Sequence, residues 1–116
     1  MSFFVTIKFI HLLPTTNKRM RNILIIGAGR SATSLISYLL DKSDKEELFI
    51  TIGDLSIQAA QKFTANHPNA RGILLDFFNE SQRREAVNNS DLVISMLPAR
   101  FHVEVAKDCL EFGKHL

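Results

Sequence analysis

The order of segments along the chain predicts an α/β fold built as a doubly wound parallel sheet. Three observations predict it. Four apolar residues, Ile23 to Ile26, run directly into Gly27-x-Gly29-x-x-Ala32. A helical pattern follows at once, with Leu35, Ile36, Leu39 and Leu40 on one stripe. From Met20 onward, strand-like and helix-like segments alternate four times with no internal repeat. Such alternation implies right-handed crossovers and a sheet covered on both faces. Strand, glycine turn and helix in that order make the Rossmann pattern, with an expected strand order of 3-2-1-4. Lys114-His115-Leu116 reads as the opening of a fifth strand, so the sheet is expected to be truncated before or at strand five.

Each element has a local reason. The first strand spans 21–26, and the first helix runs from Ser31 to Lys42. Ser43-Asp44-Lys45-Glu46-Glu47 is polar enough for a solvated loop. The second strand covers Leu48 to Ile52. The second helix covers Ser56 to Asn66 and stops at His67-Pro68, since proline cannot continue it. A third strand over Gly72 to Leu75 precedes a helix over Glu80 to Val87. The fourth strand covers Leu92 to Met96, and a last helix runs from Arg100 to Gly113, a natural C-cap.

Length and composition bound the class. The chain of 116 residues is long enough to bury a sizeable core as one domain. Its 46% apolar and 22% charged content is that of an ordinary soluble globular protein. The formal charge of +2 hides an asymmetry, because residues 1–22 carry Lys8, Lys18, Arg19 and Arg21 with no acid. The other 94 residues hold 10 basic and 12 acidic side chains, and a mildly acidic body argues against a nucleic-acid partner. Cys109 is the single cysteine, so no internal disulfide is possible and a reducing, cytoplasmic setting is expected. Ser2 to Leu13 is apolar but broken by Lys8 and His11, too short and too charged to span a bilayer, so no membrane partner is expected. Residues 1–19 are expected to be an extension outside the fold, which leaves 20–116 as the dinucleotide-binding domain.

The glycine turn carries the chemistry. Gly27 takes the backbone angles of the tight turn, and Gly29 has no Cβ to keep phosphates away. The phosphates then meet free N–H groups and the positive end of a helix. At the end of the second strand stands Asp54, 25 residues beyond Gly29, where an acid accepts from ribose hydroxyls and repels a 2′-phosphate. Asp54 as a cap on the following helix is the plainer alternative, with Ser56 able to take that place. Asp76 is expected to end the third strand and meet the adenine edge, or else to start a turn before Phe77-Phe78.

Other groups carry less. Gly29-Arg30-Ser31-Ala32-Thr33 approaches a nucleophile elbow but lacks its last glycine, so Ser31 is read as a helix N-cap or phosphate donor. The four histidines and Cys109 give no metal-ligand spacing, and no metal is expected. Cys109 reads as a small buried apolar residue and Arg83-Arg84 as a solvated helix face.

Asp91-Leu92-Val93-Ile94-Ser95, then Leu97-Pro98, Phe101-His102, Val105-Ala106-Lys107 and Cys109, resembles the saccharopine dehydrogenase family. Its members show a similar V-I-S-x-x-P-x-x-x-H-x-x-V-A-K-x-C run after a glycine strand-turn-helix, and the likeness covers Arg21 to Leu116. The resemblance implies a reversible, nicotinamide-dependent oxidation of saccharopine at its secondary amine, in lysine metabolism. By position, Gly27, Ala28, Gly29, Arg30 and Ser31 would hold the pyrophosphate and Asp54 the adenosine ribose. Asp76 and Phe77 would meet the adenine, and Ser95, Leu97 and Pro98 the nicotinamide side. Fungal members that use NADP look basic where this chain has Asp54, so the resemblance implies NAD ahead of NADP.

Family members run several hundred residues, with a second domain for the small amino-acid-derived substrate. The present chain resembles the cofactor half alone. Catalytic acid and base groups are therefore expected elsewhere, and these residues are expected to bind cofactor without turnover. An open sheet edge would also favour a homodimer. Two other readings stay open: a carboxynorspermidine-type dehydrogenase of the same superfamily, and a non-catalytic NAD- or nucleotide-sensing module.

Overall fold

A computed structural model describes residues 20–29, 32–62, 64, 67–97 and 99–114. Four parallel strands, β1 (Arg21–Ile26), β2 (Leu48–Asp54), β3 (Ala70–Leu74) and β4 (Leu92–Ser95), lie in the order β3-β2-β1-β4. Between and after them come α1 (Thr33–Lys42), α2 (Ile57–Gln61), α3 (Glu80–Asn88) and α4 (Ala99–Phe112). The expected order 3-2-1-4 is the one found.

Alternation along β1 explains the two-sided sheet. Ile23 and Ile25 face one way with Ile50, Ile52, Leu92 and Ile94, under Leu35, Ile36 and Leu39 of α1 and Ala60 of α2. Leu24 and Ile26 face the other way with Val93 and Leu97, under Val87 of α3 and Val105 and Cys109 of α4. A strand buried on both faces must be apolar at every position, which is why Ile23–Ile26 carries no alternation.

Several boundaries differ from expectation for physical reasons. The strand β2 runs on to Asp54 because Gly53 pairs with Ile26 and Ile73, and Asp54 with Leu74. The strand β3 starts at Ala70 and ends at Leu74, so Asp76 lies two residues beyond it. The helix α1 starts at Thr33 with Ala32 at its N-cap and no side-chain cap hydrogen bond, and Ser31 lies outside the described residues.

The helix α2 is far shorter than Ser56 to Asn66. Bonds from Thr64 N–H to the Gln61 carbonyl (3.2 Å) and from His67 N–H to the Thr64 carbonyl (3.1 Å) replace the helical ladder. The Thr64 hydroxyl donates to the same Gln61 carbonyl, a competition that disfavours helix. The polar loop after α1 is not wholly solvated either. Ser43 is buried, donates from Oγ to the Leu40 carbonyl at 2.7 Å and accepts from Asn69 Nδ2.

At the far end, α4 closes with Gly113 at φ 68°, Gly113 N–H bonded to the Leu110 carbonyl and Lys114 N–H to the Cys109 carbonyl. That is a Schellman motif, as the glycine predicts. Among the described residues no helix is long and apolar enough to cross a membrane.

Cys109 is buried, as read from the sequence. Burial first, and the neighbouring Asp108 carboxylate second, push its thiol up to about 11. The folded chain thus holds its proton after an unfolded thiol, ordinarily at 9.0, has lost it. This contribution to stability is complete below pH 9.0 and is lost as pH rises to about 11. Native protein at about pH 8 should resist iodoacetamide and react only after unfolding. Equal labelling of native and denatured protein would contradict the burial.

Candidate functional site

The candidate site lies at the C-terminal edge of the sheet, where the chain leaves β1 and β4 on opposite connections. That is the switch point of an open parallel sheet. Gly27 leaves β1 at φ 96°, a backbone angle that L side chains rarely adopt. A Cβ on Gly27 would lie in van der Waals contact with Leu97 Cδ2 at 3.4 Å and with Met96, so the turn packs against the end of β4. Above Gly29 nothing lies within 4 Å of where a Cβ would be, so the turn presents open backbone there.

The turn's own hydrogen bonds are specific. Gly27 N–H donates to the Gly53 carbonyl at 2.8 Å, and Ala32 N–H to the Gly29 carbonyl at 3.0 Å. Ala28 N–H donates to Asp54 Oδ2 at 2.7 Å. The other oxygen of Asp54 accepts from Ser56 N–H at 2.8 Å. Ser56 rather than Asp54 caps α2, accepting at Oγ from Ala59 N–H. The alternative of Asp54 as a cap is thereby corrected: its carboxylate bridges the glycine turn and the start of the next connection.

Asp76 does start a turn. Its Oδ1 accepts from Phe78 N–H at 3.0 Å, its carbonyl accepts from Asn79 N–H, and its own N–H donates to Gln82 Oε1. Phe77 and Leu97 line a hollow of about 280 Å³ with Phe78, Arg83, Phe101 and Glu104. Its aromatic wall is Phe77, Phe78 and Phe101, the last two edge to face at 5.0 Å. Ser95 ends β4 and is 6% exposed, and its hydroxyl is a buried polar atom without a hydrogen-bond partner. A buried polar group left unpaired is rare and calls for an explanation.

The structure thus brings Gly27, Ala28, Gly29 and Asp54 together, sets Leu97 against Gly27, and joins Phe77 to Leu97 through the hollow. Asp76 shares no hydrogen bond with that group. Arg30, Ser31 and Pro98 lie outside the described residues. A roomier hollow of about 560 Å³ lies under β2, β3 and α3, lined by Asn22, Phe49, Arg71, Gln82 and Glu85 among others. None of the glycine-turn residues reaches it. It lies away from the switch point, and volume by itself is weaker evidence than the glycine turn. Among the described residues no cluster of His, Cys, Asp or Glu could hold a metal ion.

Arg83 departs most from expectation. Far from a solvated face, it is 7% exposed and pairs through Nε with Asp108, itself 3% exposed, at 2.5 Å. A second donor, Nη1, reaches the Phe77 carbonyl at 3.3 Å, so the pair fixes the wall of the aromatic hollow. Arg84 lies nearer the surface, on Glu111 and over the Phe112 ring. Its hydrogen bond is the main cause that lowers the Glu111 carboxyl below the ordinary range.

Comparison with known proteins agrees with this geometry. The family model for the saccharopine dehydrogenase NADP binding domain matches residues 23–116. The Schizosaccharomyces pombe saccharopine dehydrogenase [NADP(+), L-glutamate-forming] is 34% identical over 97 residues, 84% of this chain and 21% of that protein. An Arabidopsis thaliana α-aminoadipic semialdehyde synthase is 26% identical over 81% of this chain and 10% of its own length. Among solved structures, the apo saccharopine dehydrogenase (L-Glu forming) from Saccharomyces cerevisiae superposes with a TM-score of 0.71 at 26% identity, over 81% of this chain and 20% of that one. The chain spans about a fifth or less of the length of these relatives. With the glycine turn, the strand order and the β4 run all in agreement, the chain belongs to the saccharopine dehydrogenase family, within its nucleotide-binding domain.

Proposed function

We propose that these residues form the cofactor-binding part of a saccharopine dehydrogenase of lysine metabolism, holding a nicotinamide dinucleotide across the glycine turn. The observation that carries this reading is the open backbone at Gly29, set at the switch point and at the start of a helix with no side-chain cap. Residues Gly27 to Ser31 frame the pyrophosphate there, with Gly27 and Ala28 shaping the turn through their own hydrogen bonds. Asp54 takes the adenosine ribose, Asp76 and Phe77 border the adenine, and Ser95, Leu97 and Pro98 border the nicotinamide. The buried Ser95 hydroxyl is the donor still lacking a partner on that side.

On this reading the nicotinamide supplies the hydride chemistry at the saccharopine secondary amine, and the protein orients it and excludes water. The acid and base groups belong to the part of such enzymes that this chain does not span, so the 116-residue chain binds without turnover.

The cofactor preference has evidence on both sides. The family description and the name of the S. pombe relative carry NADP, which favours that dinucleotide. Against it, this chain sets a carboxylate, Asp54, at the end of β2, where a 2′-phosphate would meet like charge. We take the local charge as decisive and propose NAD. Calorimetric titration of the 116-residue chain should give NAD a dissociation constant lower than that of NADP by about tenfold, ~1.4 kcal/mol. Tighter NADP binding would overturn the preference and leave the dinucleotide role standing. No binding of either would overturn that role.

A further inference from the structure

We infer that Asp54 is a positioning residue for the glycine turn, acting before any dinucleotide arrives, as well as the residue that faces the ribose. Its carboxylate takes Ala28 N–H on one oxygen and Ser56 N–H on the other, at 2.7 and 2.8 Å. A carboxylate accepting backbone N–H groups makes a charge-assisted bond, about twice the strength of a neutral one. This one spans 26 residues of sequence and ties the turn after β1 to the connection after β2. Gly27 N–H is spent on the Gly53 carbonyl and Ala32 N–H on the Gly29 carbonyl, so three of the turn's described amides have internal acceptors. Ala28 alone of these uses a side chain, and that side chain is removable without touching the backbone.

The consequence is a division of labour within the turn. Ala28 N–H is occupied by Asp54 and holds shape, while the unfilled space at Gly29 faces the ligand. Removing the latch leaves Ala28 without its acceptor and releases the turn from β2. Binding must then order the turn again, which weakens every dinucleotide alike. Repulsion of a 2′-phosphate, by contrast, acts on NADP only. The two roles of Asp54 therefore have opposite effects on NADP, and variants separate them.

Asp54→Asn removes the charge and keeps one acceptor oxygen, which can turn to Ala28 at the expense of Ser56 N–H; Asp54→Ala removes both acceptors. Two readouts are needed, hydrogen exchange of the Ala28 amide in the free chain and the affinities for NAD and NADP. We expect Ala28 to exchange at least about tenfold faster in Asp54→Ala than in the parent, with Asp54→Asn restoring most of the protection. We expect NADP to bind Asp54→Asn about tenfold or more tighter than Asp54→Ala. Far-ultraviolet circular dichroism confirms that each variant is folded, and the asparagine form serves if the alanine form is not. Unchanged Ala28 exchange in Asp54→Ala, or unprotected Ala28 in Asp54→Asn, would overturn the latch. So would equal NADP affinity of the two variants. The affinity readout rests on the dinucleotide reading and the exchange readout does not, so a chain that binds neither cofactor but shows the exchange pattern refutes the function and keeps the latch.

Discussion

Asp108→Ala is expected to destabilise the domain by about 3–5 kcal/mol, the range for breaking a buried ion pair from one side. Asp108 is 3% exposed and Arg83 7% exposed, so the guanidinium left behind cannot turn to water without opening the α3–α4 contact. Its remaining partners are weak substitutes: Glu104 at 4.0 Å, itself half exposed, and the Phe77 carbonyl at 3.3 Å. Arg84, at 3.5 Å from Asp108, also loses a partner. Urea unfolding near neutral pH measures the loss. A double replacement of Arg83 and Asp108 by leucine should recover much of it, because no charge is then stranded. A cost of about 1 kcal/mol or less for Asp108→Ala would show that the pair is effectively solvated. Since Arg83 also holds the Phe77 carbonyl, the single variant should disturb the aromatic hollow beside Leu97 along with the fold.

Gly72→Ala is expected to cost about 3 kcal/mol, the upper end for overpacking a core. The reason is what lies above it. A Cβ at Gly72 would overlap the Ala60 carbonyl group and sit 2.7 Å from Gln61 N, and these are backbone atoms that no rotamer change moves aside. The helix α2 would have to lift from β3. Gly29→Ala is the matched control, because nothing lies within 4 Å of its added methyl. Equal denaturation midpoints for the two variants would mean that α2 does not press on β3 as described.

Much of this was legible in the sequence, and the illegible part has a common cause. The run Ile23–Ile26, the glycine turn and the α1 stripe are local patterns, and burial on both faces of β1 leaves apolar residues as the sole choice there. Strand order followed from the glycine strand-turn-helix pattern, which alternation and crossover handedness alone do not fix. The Arg83-Arg84 pair reads as solvated because two arginines on a polar helix carry no local mark of burial, and the partner of Arg83, Asp108, stands 25 residues away on another helix. The Asp54 latch is the same case across 26 residues. The early end of α2 rests on turn bonds at Thr64 and His67, where the Thr64 hydroxyl competes for the Gln61 carbonyl, and no periodicity marks that competition. For Asp76 the sequence allowed both a turn and an adenine contact, and the turn is what its hydrogen bonds make.

Amide mapping of the isotope-labelled chain titrated with NAD tests most directly whether the dinucleotide lies across the glycine turn. We expect the largest shifts at Gly27, Ala28, Gly29, Asp54 and Ser95, with Asn22, Gln82, Glu85 and Asn89 around the 560 Å³ hollow unmoved. Shifts centred on that hollow, with the glycine turn silent, would contradict the assignment of the site.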